Sequence, residues 1–339
     1  MSQYDPDNKF LLLALRSSSA CIISMLFFQI LDYPTYGMWA GFYSWFLTQT
    51  DISDNLSNLN RCFFILLSTI LFIFTTCLGL SLTSSPLLFA LVLGLFGLFS
   101  GFCWYFSYVI FHVFIWDTCI FAYTIMINQE KINIYSISII ILISGFISVI
   151  MCLAFAIINY FFTGKTFKFS KNLFEKEKGL QKNINTYLIY GVKLSFILFI
   201  SQYLLLIYKV SHGFWIIITI IVCFLPTTKD TLIRVLERVL GTFIGAIIGY
   251  IIIYFFNSNI IVLEIIFPLT LFITYYYRCH KYHISTIYLT LTTMLFINAV
   301  TPNDYNIGIL RFTTTLVGTS IVIIFIKLVF PIAKKLIHH

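Results

Sequence analysis

Two cations lie inside long apolar runs, where a charge is costly and usually functional. They are Arg16 in Ala14-Leu15-Arg16-Ser17 and Lys193 in Gly191-Val192-Lys193-Leu194. Each is followed by a Gly-x-Trp segment (Gly37-Met38-Trp39 and Gly213-Phe214-Trp215), then by a polar turn and an arginine, Arg61 or Arg238. The two copies stand about 176 residues apart. Facing a common centre, Arg16 and Lys193 supply positive potential to a small organic anion, while the flat faces of Trp39 and Trp215 suit an aromatic ring. The competing readings are that the cations snorkel to the headgroups and that the tryptophans anchor at the interface.

Transport driven by a proton gradient needs a titratable group within the membrane. Asp117, in Phe114-Ile115-Trp116-Asp117-Thr118, is the carboxylate nearest the middle of a span and the candidate for proton coupling. A structural hydrogen bond is the alternative. His112 precedes it by five positions, a poor fit to one helix face. Glu264 lies nearer a helix end, four residues before Pro268. Gly241, Gly245 and Gly249 form an i, i+4, i+8 stripe behind Arg238, which lets a neighbouring helix approach closely.

Other chemistry finds little support. Phosphate-loop, zinc-protease, nucleophile-elbow and dinucleotide motifs are missing, so the chain is not expected to be a soluble-type enzyme or to carry a cofactor. The eight cysteines show no C-x-x-C pair and read as small buried hydrophobes. Cys279-His280-x-x-His283 has the look of a metal cluster but lacks a fourth ligand, so no metal site is expected.

The elements that must position these residues are transmembrane helices. Of 339 residues, 60% are hydrophobic and 10% charged, with a mean hydropathy of +0.95; a soluble domain is about a quarter charged. Apolar runs long enough to cross a bilayer recur throughout. The spans read 11–31, 37–49, 61–82, 86–102, 105–127 and 136–162, then 186–208, 213–225, 237–256, 260–277, 284–300 and 309–330. The fold class is therefore an all-α polytopic membrane protein of about twelve helices. Residues 1–162 and 187–339 each make a six-helix repeat, joined by a basic linker over 163–186. Because each repeat begins on the same side, the two are parallel. The second helix of each is short, and short spans in matching positions point to a transport site.

The net charge of +8 is no nucleic-acid signal, because the basic residues gather in alternate loops. Lys165, Lys168, Lys171, Lys176, Lys178 and Lys182 fill the linker, whereas the opposite loops offer Lys131, Lys209 and Arg311. That bias predicts cytoplasmic N- and C-termini and a linker lying as an amphipathic helix on the inner leaflet. No cleaved signal peptide is expected.

The run Gly213-Phe214-Trp215, the loop Pro226 to Thr231, Arg234, and Arg238-x-x-Gly241-Thr242-x-x-Gly245-x-x-x-Gly249 resemble the fusaric-acid-resistance family, related to the aromatic acid exporters. Arg311-Phe312-Thr313-Thr314-Thr315-Leu316-Val317-Gly318-Thr319 is similar to its late signature. The likeness covers about 187–330. It is faint over 11–162, where Ile65, Thr69 and Ile73 replace the glycines and Ser136 aligns with Arg311. The resemblance implies an efflux protein of the bacterial inner membrane, working with a periplasmic adaptor, whose Arg238, Thr242, Arg311 and glycine stripe form a packing motif. The partners expected are the lipid bilayer, a small organic anion, the adaptor and a second copy of the chain. A passive anion channel and a membrane-embedded enzyme of envelope lipid or glycan metabolism are the rival readings.

Overall fold

A computed structural model describes residues 9–48, 58–163, 184–210, 212–256, 260–278, 281–300 and 306–331. The linker cluster from Lys165 to Lys182, together with Cys279 and His280, lies outside these. Twelve α-helices follow in order: α1 Lys9–Ile30, α2 Pro34–Thr48, α3 Asn58–Leu82, α4 Pro86–Phe106, α5 Tyr108–Gln129 and α6 Ile134–Thr163. Then come α7 Ile184–Ile207, α8 Phe214–Cys223, α9 Thr228–Phe256, α10 Ile260–Arg278, α11 Tyr282–Val300 and α12 Ile307–Ile324. A π-helical stretch, Phe325–Val329, continues α12. Among the described residues, nine helices are long and apolar enough to cross a bilayer. The chain is a multi-pass membrane protein.

Helix ends follow local chemistry. Pro86 starts α4, where a missing N–H costs nothing. The single extended residue Ser107 separates α4 from α5 and folds them into an antiparallel hairpin, with the Phe89 and Phe121 rings 4.5 Å apart. The clearest departure from the sequence reading is at α9, which begins at Thr228 rather than near 237. Lys229, Asp230, Arg234 and Glu237 make its first turns too polar to read as a span. They are helical because the Asp230 N–H donates to Thr227 Oγ1 at 3.1 Å, and Thr231 Oγ1 accepts the Leu225 N–H at 3.0 Å.

The two short helices occupy the middle. α2 has 15 residues and α8 has 10, roughly 22 and 15 Å at 1.5 Å per residue, so neither spans a bilayer core alone. Both are buried along almost their whole length, because longer helices surround them. α4 packs on α7 and α1 on α10; α2 meets α11 and α5 meets α8. Tyr275 of α10 fixes α2: its hydroxyl lies 3.1 Å from the Trp45 carbonyl, to which it can donate, and 2.9 Å from Thr48 Oγ1 in a second hydrogen bond.

The glycine stripe of α9 faces α11. A Cβ at Gly245 would stand 2.5 Å from the Ile287 carbonyl oxygen, and one at Gly241 would stand 2.7 Å from the Thr286 Cβ. Only glycine admits so close a crossing.

Candidate functional site

A cavity of about 810 Å³ opens inside the bundle between α2, α4, α5, α7, α8, α9, α10, α11 and α12. Its mouth lies at the end of the bundle where α6 stops and α7 begins, beside the exposed Thr227 and Asp230. On α5, Tyr108, His112, Ile115, Trp116, Cys119 and Tyr123 line it as one helical stripe. From Tyr108 to Tyr123, fifteen steps along the helix at 1.5 Å each, the stripe runs roughly 22 Å inward. The far end is closed by aromatic rings. Trp39 meets Phe296 edge-on at 5.0 Å, and Trp215 meets Tyr123 edge-on at 5.3 Å. Phe42 bridges the two pairs, stacked on Phe296 at 4.4 Å and edge-on to Tyr123 at 5.0 Å.

Three arginines line this space. Arg238 and Arg311 are each 1% exposed. The Nε and Nη1 groups of both have no hydrogen-bond acceptor. The Arg311 guanidinium lies 3.6 Å over the Trp215 ring, held flat by cation–π attraction. Both charges act on Tyr123 and on one another. Nearer the mouth, Arg234 stacks on Tyr282 at 3.7 Å, and His283 Nδ1 approaches Glu237 Oε1 at 3.9 Å. The deep part thus offers cationic N–H donors beside aromatic faces, while the protein's carboxylates on this wall, Asp230 and Glu237, stay toward the mouth.

A buried guanidinium without an acceptor is unstable in isolation, since desolvated donors cost free energy until something accepts from them. Two in one cavity make an arrangement that suits an anion. The apolar and aromatic walls, broken by a few convergent polar groups, fit an organic ligand rather than a bare ion.

The residues singled out by sequence are distributed unevenly around this cavity. Trp215, Arg238 and Arg311 line it. Thr242 is fully buried one turn beyond Arg238, its hydroxyl without a partner. Gly241, Gly245 and Gly249 hold α9 against α11 rather than facing the cavity. Trp39 stands on the opposite side of the aromatic closure. Arg16 is buried against α6, its Nη1 4.0 Å from the Cys152 sulfur, and is not part of the cavity wall. Lys193 belongs to a second, smaller cavity, its Nζ 5.0 Å over the Phe330 ring. Arg16 and Lys193 therefore share no site. Depth within a span gives no information on the direction in which a side chain points.

Asp117 is completely buried and turned toward α3, where its Oδ1 accepts from Thr75 Oγ1 at 2.8 Å. Its Oδ2 has no partner. It sits behind the cavity wall that its neighbour Trp116 helps to line. Among the described residues no cluster of metal-binding side chains occurs.

Sequence reasoning missed most of the aromatic lining. The signal was present in α5, whose Tyr108, His112, Trp116, Cys119 and Tyr123 fall on one face at helical spacing. That stripe is hard to see in a helix that is apolar on every side.

Fold and site together define a polytopic helical membrane protein with an internal cavity that is both arginine-bearing and aromatic. Residues 196–325, which include Trp215, Arg238, the glycine stripe and Arg311, match the family model described as fusaric acid resistance protein-like. No curated protein and no solved structure matches the chain.

Proposed function

We propose that this chain is a secondary transporter that exports small organic anions, aromatic carboxylates foremost, and that it is a carrier rather than an enzyme. The observation that carries the reading is the pair of buried guanidiniums, Arg238 and Arg311, lacking acceptors in an aromatic-lined cavity. A carboxylate accepts two N–H bonds from one such fork, and its ring packs beside Trp215 and Tyr123. The ligand-holding pair is thus Arg238 and Arg311, not Arg16 and Lys193.

The packing supports two parallel six-helix repeats. The contacts α1–α2, α2–α6, α3–α5, α3–α6 and α4–α5 recur as α7–α8, α8–α12, α9–α11, α9–α12 and α10–α11. Across the middle, α1–α10 answers to α7–α4, and α2–α11 to α8–α5. The lysine-rich linker supports an inner-membrane orientation with that end cytoplasmic. On that reading the cavity loads from the cytoplasm, which suits export and agrees with the family match. The aromatic closure favours alternating access over an open anion channel.

Equilibrium binding of labelled benzoate to the purified protein tests the site. Losing one partner of a desolvated charge pair costs about 2–5 kcal/mol, roughly 30-fold or more in affinity. Arg238→Gln and Arg311→Gln should each show that loss, and Arg311→Lys should not restore binding, because an ammonium neither forks nor stacks as a guanidinium does. Unchanged affinity in both glutamine variants would exclude the site. Orientation is checked in intact cells: an impermeant thiol reagent should reach a cysteine at Lys209 and not one at Thr228.

A further inference from the structure

The second cavity, of about 380 Å³, lies between the first turns of α7 and the π-helical end of α12. Lys193 and Ile189 line it from α7, and Ile326 and Phe330 from the far side. Its back wall is Tyr190 and Phe224, which also line the central cavity. These two rings are stacked at 5.5 Å, and the Tyr190 hydroxyl donates to the Phe224 carbonyl at 3.3 Å. Leu225 and Pro226 also line both spaces, so the partition consists of this aromatic pair and the two residues that follow Phe224.

The groove exists because the packing is asymmetric here. α1 lies along α6, but the corresponding helices α7 and α12 do not pack along one another in the same way; α7 meets the π-helical continuation of α12 instead, where the Phe196 and Phe325 ring centroids are 6.0 Å apart. The backbone of α12 changes to π-helix at this level, an arrangement frequent at functional sites. Around the opening, Ile189 is 54% exposed and Val192 57% exposed. In a membrane-spanning bundle such a face meets acyl chains, not water. Among the described residues, Lys193 is the one cation lining the groove, and no carboxylate pairs with it.

We propose that this groove is a lateral doorway, through which anions bearing an apolar tail pass from the linker-side leaflet into the central cavity. Lys193 draws the anionic head to the opening. The groove takes the tail, and separation of Tyr190 from Phe224 admits the ligand. The inference rests on the reading of the central cavity as an anion site. It assigns Lys193 a role in capture, separate from the arginines that hold the ligand.

The test uses the full chain in liposomes with two probes, benzoate and 4-octylbenzoate. Ile326→Trp fills the groove and should slow 4-octylbenzoate transport about tenfold or more, as blocking an access step does, while benzoate transport stays within about twofold. Ile189→Trp fills it from an exposed position on α7 and gives the same readout should Ile326→Trp not fold. Lys193→Gln should slow 4-octylbenzoate about tenfold by removing local attraction. Equal slowing of both probes by either tryptophan, or no slowing of 4-octylbenzoate, overturns the doorway. A phosphatidylglycerol-induced rise in melting temperature that needs Lys193, with 4-octylbenzoate transport indifferent to both tryptophans, makes the groove a lipid seat and also overturns it. Benzoate binding in detergent reports on the central site alone: its absence in wild type sinks the earlier reading, and its presence with unaltered 4-octylbenzoate rates sinks only the doorway.

Discussion

Asp117 and the two deep arginines represent opposite solutions to a charge in the membrane interior. Arg311 is held by the Trp215 face, a contact that contributes about 2 kcal/mol or more when desolvated, and its remaining donors are left for a ligand. Asp117 has one hydrogen bond, from Thr75, and a second oxygen without any. A group in that state suits proton exchange, although it lies behind the cavity wall. If Asp117 couples transport to protons, Asp117→Asn keeps the Thr75 bond and benzoate affinity but abolishes uptake driven by an imposed pH gradient. Flux assays in liposomes with and without that gradient decide the matter. Gradient-driven uptake persisting in Asp117→Asn would leave the residue a structural role only.

Among the elements, α9 contributes most. One face carries Arg234 and Arg238 to the cavity, and the adjoining face brings Gly241, Gly245 and Gly249 against α11. Packing and site are coupled through this one helix. Gly245→Leu forces α9 away from the Ile287 carbonyl, and overpacking of this kind costs about 1–3 kcal/mol. The expected outcome is a lower melting temperature together with weaker benzoate binding, since Arg238 moves with its helix. Wild-type stability and binding in the purified variant would show that the crossing tolerates bulk. The glycine stripe was legible as i, i+4, i+8 spacing, and so was the shortness of α2 and α8, which Pro226 and the paired Gly-x-Trp segments announce. The polar start of α9 was not, because hydropathy treats four charged residues in three turns as loop. The Thr227 cap and the exposed position of the first turn at the cavity mouth explain why they stay helical.

At the scale of the whole molecule, helix number and membrane class follow from hydropathy alone, and the matching of Trp39 with Trp215 hinted at the paired contacts later seen between helices. What the chain order could not convey is which faces converge. Arg16 and Lys193 were chosen for depth, yet one points at Cys152 and the other at Phe330. Arg311 lies four residues into α12, near its N-terminus, and joins the cavity because the short α8 lays Trp215 beneath it.

The acceptor-less guanidiniums have one more consequence, for the lifetime of the protein. Arg238 and Arg311 repel each other across the cavity, and on the proposed reading a bound anion relieves that repulsion. A ligand that binds only the folded form adds about 2.7 kcal/mol at a hundred times its dissociation constant. Benzoate should therefore raise the melting temperature of the wild type, and should do so far less in Arg238→Gln, where a scan of melting temperature against benzoate concentration would stay flat over the same range. If the proposed function holds, the same linkage would slow proteolytic turnover in a cell whenever the anion accumulates, so that the abundance of the protein tracks its ligand without any change in synthesis.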